Sequence, residues 1–193
     1  MSAEQQFRKA LQDTGIPFTD NTTSKVLVDY VVHSQAGRPD ISVEVKEKRQ
    51  PINVDNWPGL LGDPDDLFIV DDLTIRKLLV CGPHAGLVVW DDITRLWYWF
   101  DLVSLAHMPR QRYNREHVKG YLKGKWVINF SNGVQCDGLG ELLDELRIYS
   151  DWITSGMVIK RSACHGAYTG EVVGRGGIAR TDEMKRIDYE QTR

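Results

Sequence analysis

Residues 26–49 read "VLVDYVVHSQAGRPDISVEVKEKR". Two runs in which apolar and polar residues alternate, about 25–33 and 40–48, flank a segment containing Gly37 and Pro39. Alternation of period two on either side of turn residues predicts a β-hairpin. Successive side chains on a strand point to opposite faces, so Ile41, Val43 and Val45 lie on one face and Asp40, Ser42, Glu44, Lys46 and Lys48 on the other. The first face is expected against a core. The second is wholly polar and charged, where an ordinary hairpin would carry Thr or Ser.

A turn centred between Ala36 and Gly37 pairs Asp29 directly with Glu44. Like charges opposite each other destabilise a sheet, so a compensating cation is expected, and a divalent ion is the natural one. Lys46, two residues past Glu44 on the same face, can approach the same point. Leu27 and Val31 share the face of Asp29 and predict a partly covered pocket. A register slip of one residue would send Asp29 to the opposite face. The plainer reading is a cross-strand salt bridge on a solvated sheet, which contributes little. Two acids and a lysine converging on one point favour an active site. A hard cation such as Mg²⁺ takes oxygen ligands and keeps several waters, so two carboxylates and a carbonyl make a reasonable partial shell. Such an ion polarises a phosphodiester and lowers the pKa of bound water, while an ammonium beside it orients that water or neutralises developing charge.

Asp29, then fourteen intervening residues, then "EVK" (Glu44, Val45, Lys46), in a hairpin that follows an N-terminal helix, resembles the PD-(D/E)XK nuclease superfamily. The resemblance implies an α/β (α+β), restriction-endonuclease-like fold: a central mixed β-sheet flanked by helices. It also implies Mg²⁺, for which Mn²⁺ can substitute. Carried over by residue, Asp29 and Glu44 would be metal ligands, Val45 would give its carbonyl, and Lys46 would be the catalytic lysine. Glu4 matches an acid on the first helix, with Gln5 the alternative helical register; taken alone, Glu4 is an ordinary first-turn acid favoured by the helix dipole. The resemblance spans roughly residues 3–102. Asp29 is not preceded by Pro. The literal Pro-Asp, Pro39-Asp40, puts Asp40 on the same strand as Glu44 and roughly 13 Å from it at the usual rise, too far to share an ion. Asp40 is therefore a second-rank candidate, placed to meet substrate or to pair with His33. Lys48 and second-rank Gln50, just past Lys46, are placed to touch phosphate.

Charge elsewhere is uneven. The stretch "RQRYNREHVKGYLKGK" holds Arg110, Arg112, Arg115, Lys119, Lys123 and Lys125 against one acid, Glu116, with Tyr113 and Tyr121 interleaved. Such a composition suits a phosphate backbone, with rings for stacking; its plainer reading is a solvated face. Residues 63–72 hold five Asp and no base. The formal net charge of −3 gives no global pull toward nucleic acid, so binding must come from a local patch.

Around these segments the sequence predicts a helix over 3–14, a long irregular connection over 50–66 pinned by Trp57 and Leu60, and a short helix "DLTIRKLLV" capped by Asp71 or Asp72. "GLVVWDD" and "RLWYWFDLV" form a strand pair with Trp90, Trp97 and Trp99 in the packing, "WVINF" forms another strand, and "GELLDELRIYSDWI" a closing helix. Residues 1–153 read as one nuclease-like domain, and 154–193, richer in Gly and charge, as a peripheral extension. Cys81, Cys136 and Cys164 are widely spaced and read as plain thiols. No apolar run approaches a bilayer span and no secretory signal opens the chain, so a cytoplasmic location is expected. The expected activity is metal-dependent hydrolysis of DNA by an endonuclease, with a homodimer compatible. The alternative is a catalytically inactive nuclease-fold module that binds nucleic acid or serves as an assembly subunit in repair, recombination or mobile-element biology.

Overall fold

A computed structural model describes residues 1–34, 38–116, 120 and 122–154. Helix α1, Ala3–Asp13, starts at a capping box: Gln5 N–H donates to Ser2 Oγ and Ser2 N–H to Gln5 Oε1. It buries Ala3, Phe7 and Leu11. Then follow β1 (Phe18–Asp20), β2 (Tyr30–Val32), β3 (Ile41–Lys48), β4 (Leu67–Asp71), α2 (Asp72–Val80), β5 (Ala85–Asp91), β6 (Leu96–Asp101), α3 (Leu102–His107), β7 (Gln111–Glu116), β8 (Leu122–Asn129), β9 (Val134–Cys136) and α4 (Leu139–Thr154).

A six-stranded sheet runs β1-β2-β3-β5-β6-β9, and a three-stranded sheet runs β4-β8-β7. Among the described residues of the larger sheet, only β3 and β5 pair in parallel. Parallel neighbours need a long crossover, and the segment carrying α2 supplies it. One face of this sheet packs on α1 and α4 through Phe7, Leu11, Tyr30, Val43, Val45 and Leu142. The other face meets α2, α3 and the smaller sheet through Ile75, Leu78, Leu87, Phe100, Leu105 and Ile128. A central mixed sheet flanked by helices is the arrangement that the resemblance implied.

The hairpin has the expected register: Tyr30 lies opposite Val43, Val31 opposite Ser42 and Val32 opposite Ile41, so the next rung brings Asp29 to Glu44. Strand β2 is shorter than its alternation predicts. Ser24 Oγ accepts the Val26 and Leu27 N–H groups and draws residues 24–27 into a turn, away from the ladder. The polar face of β3 is largely covered, with Glu44 and Lys48 at 1% and 5% exposure.

Several elements are not foreshadowed by the sequence pattern, among them the short strands β1 and β9 and the strand β7 in the basic run. Leu67–Asp71 forms β4 against β8, and Leu102–His107 forms α3, capped by Asp101, whose carboxylate accepts the Ser104 N–H and Oγ–H. Asp71 occupies the N-cap position of α2 without a side-chain cap bond, because its carboxylate is engaged by Lys123 and Lys125. Trp90, Trp97 and Trp99 are buried as expected, and Trp57 is an anchor at 6% exposure, meeting the Tyr113 ring edge-on at 5.3 Å. The extension beyond Thr154 lies outside the described residues. No helix among those described is long and apolar enough to cross a membrane.

On β5, next to the hairpin, Gly86 leaves room for Trp99: a Cβ there would sit 2.2 Å from the indole Cη2 and 2.6 Å from the Phe100 carbonyl oxygen. Gly86→Ala is expected to destabilise the fold by about 1–3 kcal/mol or more, read from urea unfolding midpoints; an unchanged midpoint would contradict this packing.

Candidate active site

Strand β2 begins at Tyr30, directly after Asp29, and the side chain of Asp29 continues the ladder: Oδ2 accepts the Val45 N–H at 2.9 Å. Asp29 is thereby held at 6% exposure with its charge toward β3. Lys46 Nζ lies 3.2 Å from the same Oδ2, 2.9 Å from Glu44 Oε1 and 3.0 Å from the Val45 carbonyl oxygen. One ammonium thus occupies the point where two carboxylates and a main-chain carbonyl converge.

These are the three groups that the resemblance implies for a metal. Among the described residues no three His, Cys, Asp or Glu side chains are arranged to hold one, so any such shell has two carboxylates, with the carbonyl and solvent completing it. The oxygens fit a hard cation in two respects. They already surround a positive group, and the second oxygen of Glu44, Oε2, is buried without a hydrogen-bond partner.

Burial works against the charge on Lys46, but Glu44 and Asp29 outweigh it and the pKa rises above that of an ordinary lysine. Lys46 therefore stays an ammonium at neutral pH, suited to donating hydrogen bonds and offsetting negative charge rather than to acting as a base. Glu4 sits on α1 near the same group. Burial first, and then the negative charge of Asp29, push its pKa up, with Lys46 opposing. The Tyr30 hydroxyl donates to the Glu4 carbonyl at 2.9 Å and ties the start of α1 to β2.

A second lysine is present that the sequence pattern alone did not single out. Lys77 Nζ, from α2, lies 3.3 Å from Glu44 Oε1 with its side chain 11% exposed. The available signal was the stripe Thr74, Lys77, Leu78 and Cys81 at helical spacing on a helix that must cross over β3.

Other candidates fall away from this cluster. Asp40 takes the second of its two expected roles: Oδ2 lies 2.8 Å from His33 Nδ1, Oδ1 accepts the Ser34 N–H, and these bonds hold its pKa below the usual carboxylate range. His33 Nε2 in turn lies 2.8 Å from Thr19 Oγ1. Lys48 is a correction. Its ammonium donates to the Asp65 carbonyl at 2.5 Å and lies 5.0 Å over the Phe130 ring, so it is spent on the 50–66 connection and not presented to phosphate. Burial lowers its pKa, against the pull of Asp91 and the neighbouring acids. Gln50 is exposed just past β3.

The described residues of the basic run lie mainly in β7 and β8, which pair antiparallel in the smaller sheet. Its cations are partly matched by the acid-rich stretch: Lys123 lies 3.5 Å from Asp71, Lys125 pairs with the same carboxylate, and Arg112 lies 3.3 Å from Asp72. Arg110 covers the Trp126 ring at 4.3 Å and Arg115 the Trp57 ring at 4.9 Å. The side chains of Arg112 and Lys123 remain 65% and 42% exposed. Lys119 and Tyr121 lie outside the described residues.

No protein-family model and no curated protein matches the chain. Among solved structures, the chain is similar to Hjc, a Holliday junction resolvase from the archaeal hyperthermophile Archaeoglobus fulgidus, at 12% identity and a TM-score of 0.42, over 72% of this chain and 98% of that one. It is also similar to D212, a nuclease from a fusselovirus, at 8% identity and a TM-score of 0.42, over 76% of this chain and 86% of that one.

Proposed function

We propose that this protein is a divalent-metal-dependent endonuclease that hydrolyses phosphodiester bonds of DNA. The observation that carries this reading is the convergence of Asp29 Oδ2, Glu44 Oε1 and the Val45 carbonyl on one cationic position, beside a buried carboxylate oxygen with no partner. Asp29, Glu44 and the Val45 carbonyl would hold Mg²⁺ or Mn²⁺, which when bound supplies Lewis-acid polarisation of the phosphate and a more acidic water. Lys46 keeps its proton and offsets the negative charge that develops on the phosphoryl oxygens. Glu4, on α1 close enough to feel the charges of Asp29 and Lys46, would be the further acid of the site. Arg110, Arg112, Arg115 and Lys123 would track the backbone on either side of the scissile bond.

One observation favours a second reading, a nucleic-acid-binding module without catalysis: Lys46 already fills the cation position, so the fold is compensated with no metal at all. Titration with Mn²⁺ separates the two, since the inert module takes up none at Asp29 and Glu44.

Asp29→Asn, Glu44→Gln and Lys46→Met keep the shapes of the side chains while removing charge. Each is expected to lower Mg²⁺-dependent cleavage of plasmid, linear and branched DNA about 100-fold or more while leaving the far-ultraviolet circular dichroism unchanged. Normal cleavage by all three would end the endonuclease reading. On β7, Arg112→Gln combined with Arg115→Gln is expected to weaken DNA binding and to make the log–log salt dependence shallower by about one unit for each phosphate that is no longer neutralised. An unaltered slope would remove β7 from the interface.

Because the folded-state pKa of Glu4 is raised, its contribution to stability is full in acid, below the pKa of the unfolded chain, and is lost as pH rises through the folded value. Glu4→Gln is therefore expected to raise the thermal midpoint at pH 7 and to leave it unchanged in acid, where the wild-type carboxyl is already protonated. Equal shifts at both pH values would rule out the charge as the cause.

A further inference from the structure

Glu44 is the more enclosed of the two acids, at 1% exposure, and both ammonium groups of the site meet the same one of its oxygens. Lys46 Nζ is 2.9 Å and Lys77 Nζ 3.3 Å from Oε1, while Oε2 is buried with nothing bonded to it. Lys77 has little freedom to leave. Its helix buries Ile75 and Leu78 at 1% and 0% exposure, and its own side chain is 11% exposed. Asp29 and Glu44 against Lys46 and Lys77 make these four groups formally neutral before any metal arrives, with Glu4 the further acid nearby. A dication entering there gains less than it would beside an acid pair with one lysine, because it is repelled by a second fixed positive charge in surroundings that screen poorly.

Resting on the metal-site reading above, we infer that Lys77 is a positioning residue that anchors Glu44 through Oε1 and holds down the affinity of the acid pair for a divalent cation. Its two effects have one origin: the ammonium replaces part of the charge compensation that a metal would give. The positive charge matters here, and not the shape of the side chain. Arginine at this position keeps the effect and a neutral side chain loses it.

The test is Mn²⁺ binding to the full chain without nucleic acid, followed by the electron paramagnetic resonance signal of free Mn²⁺, with Mn²⁺-induced shifts in thermal midpoint as a second readout. Lys77→Met is expected to bind Mn²⁺ about tenfold more tightly than wild type, Lys77→Arg to stay within about threefold of wild type, and Glu44→Gln to lose binding. Lys77→Met, left with Glu44 less compensated, should also show the larger rise in midpoint on adding Mn²⁺. If wild type binds through Glu44 but Lys77→Met binds equally or more weakly, the role of Lys77 is overturned while the metal site stands. If wild type takes up no Mn²⁺, or Glu44→Gln still binds, the site itself is refuted and the role of Lys77 goes with it.

Discussion

A single buried hydrogen bond, from the Val45 N–H to Asp29 Oδ2, sets the geometry on which the site depends. Strand β3 is paired on both sides, and where β2 stops the N–H of Val45 would otherwise be left without a partner in the interior. The carboxylate of Asp29 replaces the missing rung. One bond therefore satisfies a main-chain donor, fixes the hairpin at the rung that faces Asp29 toward Glu44, and stops the acid from turning out to water. A slip of one residue would lose all three together.

Placing acids on a covered face has an electrostatic cost that the rest of the fold offsets. Ionised carboxylates away from water are costly unless paired. Here the partners come from two directions, Lys46 from the same strand and Lys77 from the crossover helix. The parallel pairing of β3 with β5 requires that crossover, so the topology that builds the sheet also delivers the second ammonium. On the opposite face Val43 and Val45 are fully buried against α1 and α4, which keeps the strand from shifting when charge on its polar face changes.

The hairpin, its register and the Asp29, Glu44 and Lys46 group were legible because strand periodicity is local and strict: knowing the turn is enough to know what faces what. The position of Lys77 was not, since it follows from which strands pair in parallel, a fact that no local window contains. Lys48 misled for a related reason. A lysine on a polar strand face reads as exposed, but its long stem reaches main-chain carbonyls of a loop brought over it by β4. The pairing of Asp71 with Lys125, residues 54 apart, turned two separate charge runs into facing halves of one ladder. Helix α3 has only six residues and β4 five, too few for periodicity to declare either.

The Gln111 amide accepts the Leu61 N–H and donates to the Leu61 carbonyl, so one side chain stands in for a strand neighbour to a segment that has none. Trp57 lodges against Tyr113 on the same strand, β7, and at its far end the connection closes on the ammonium of Lys48, from the strand that carries Glu44 and Lys46. The 50–66 connection is therefore a strut, braced against β7 at one end and the acid-bearing strand at the other. The arginine-bearing ribbon and the strand that carries Glu44 and Lys46 are thereby tied to one another through a segment that belongs to neither sheet.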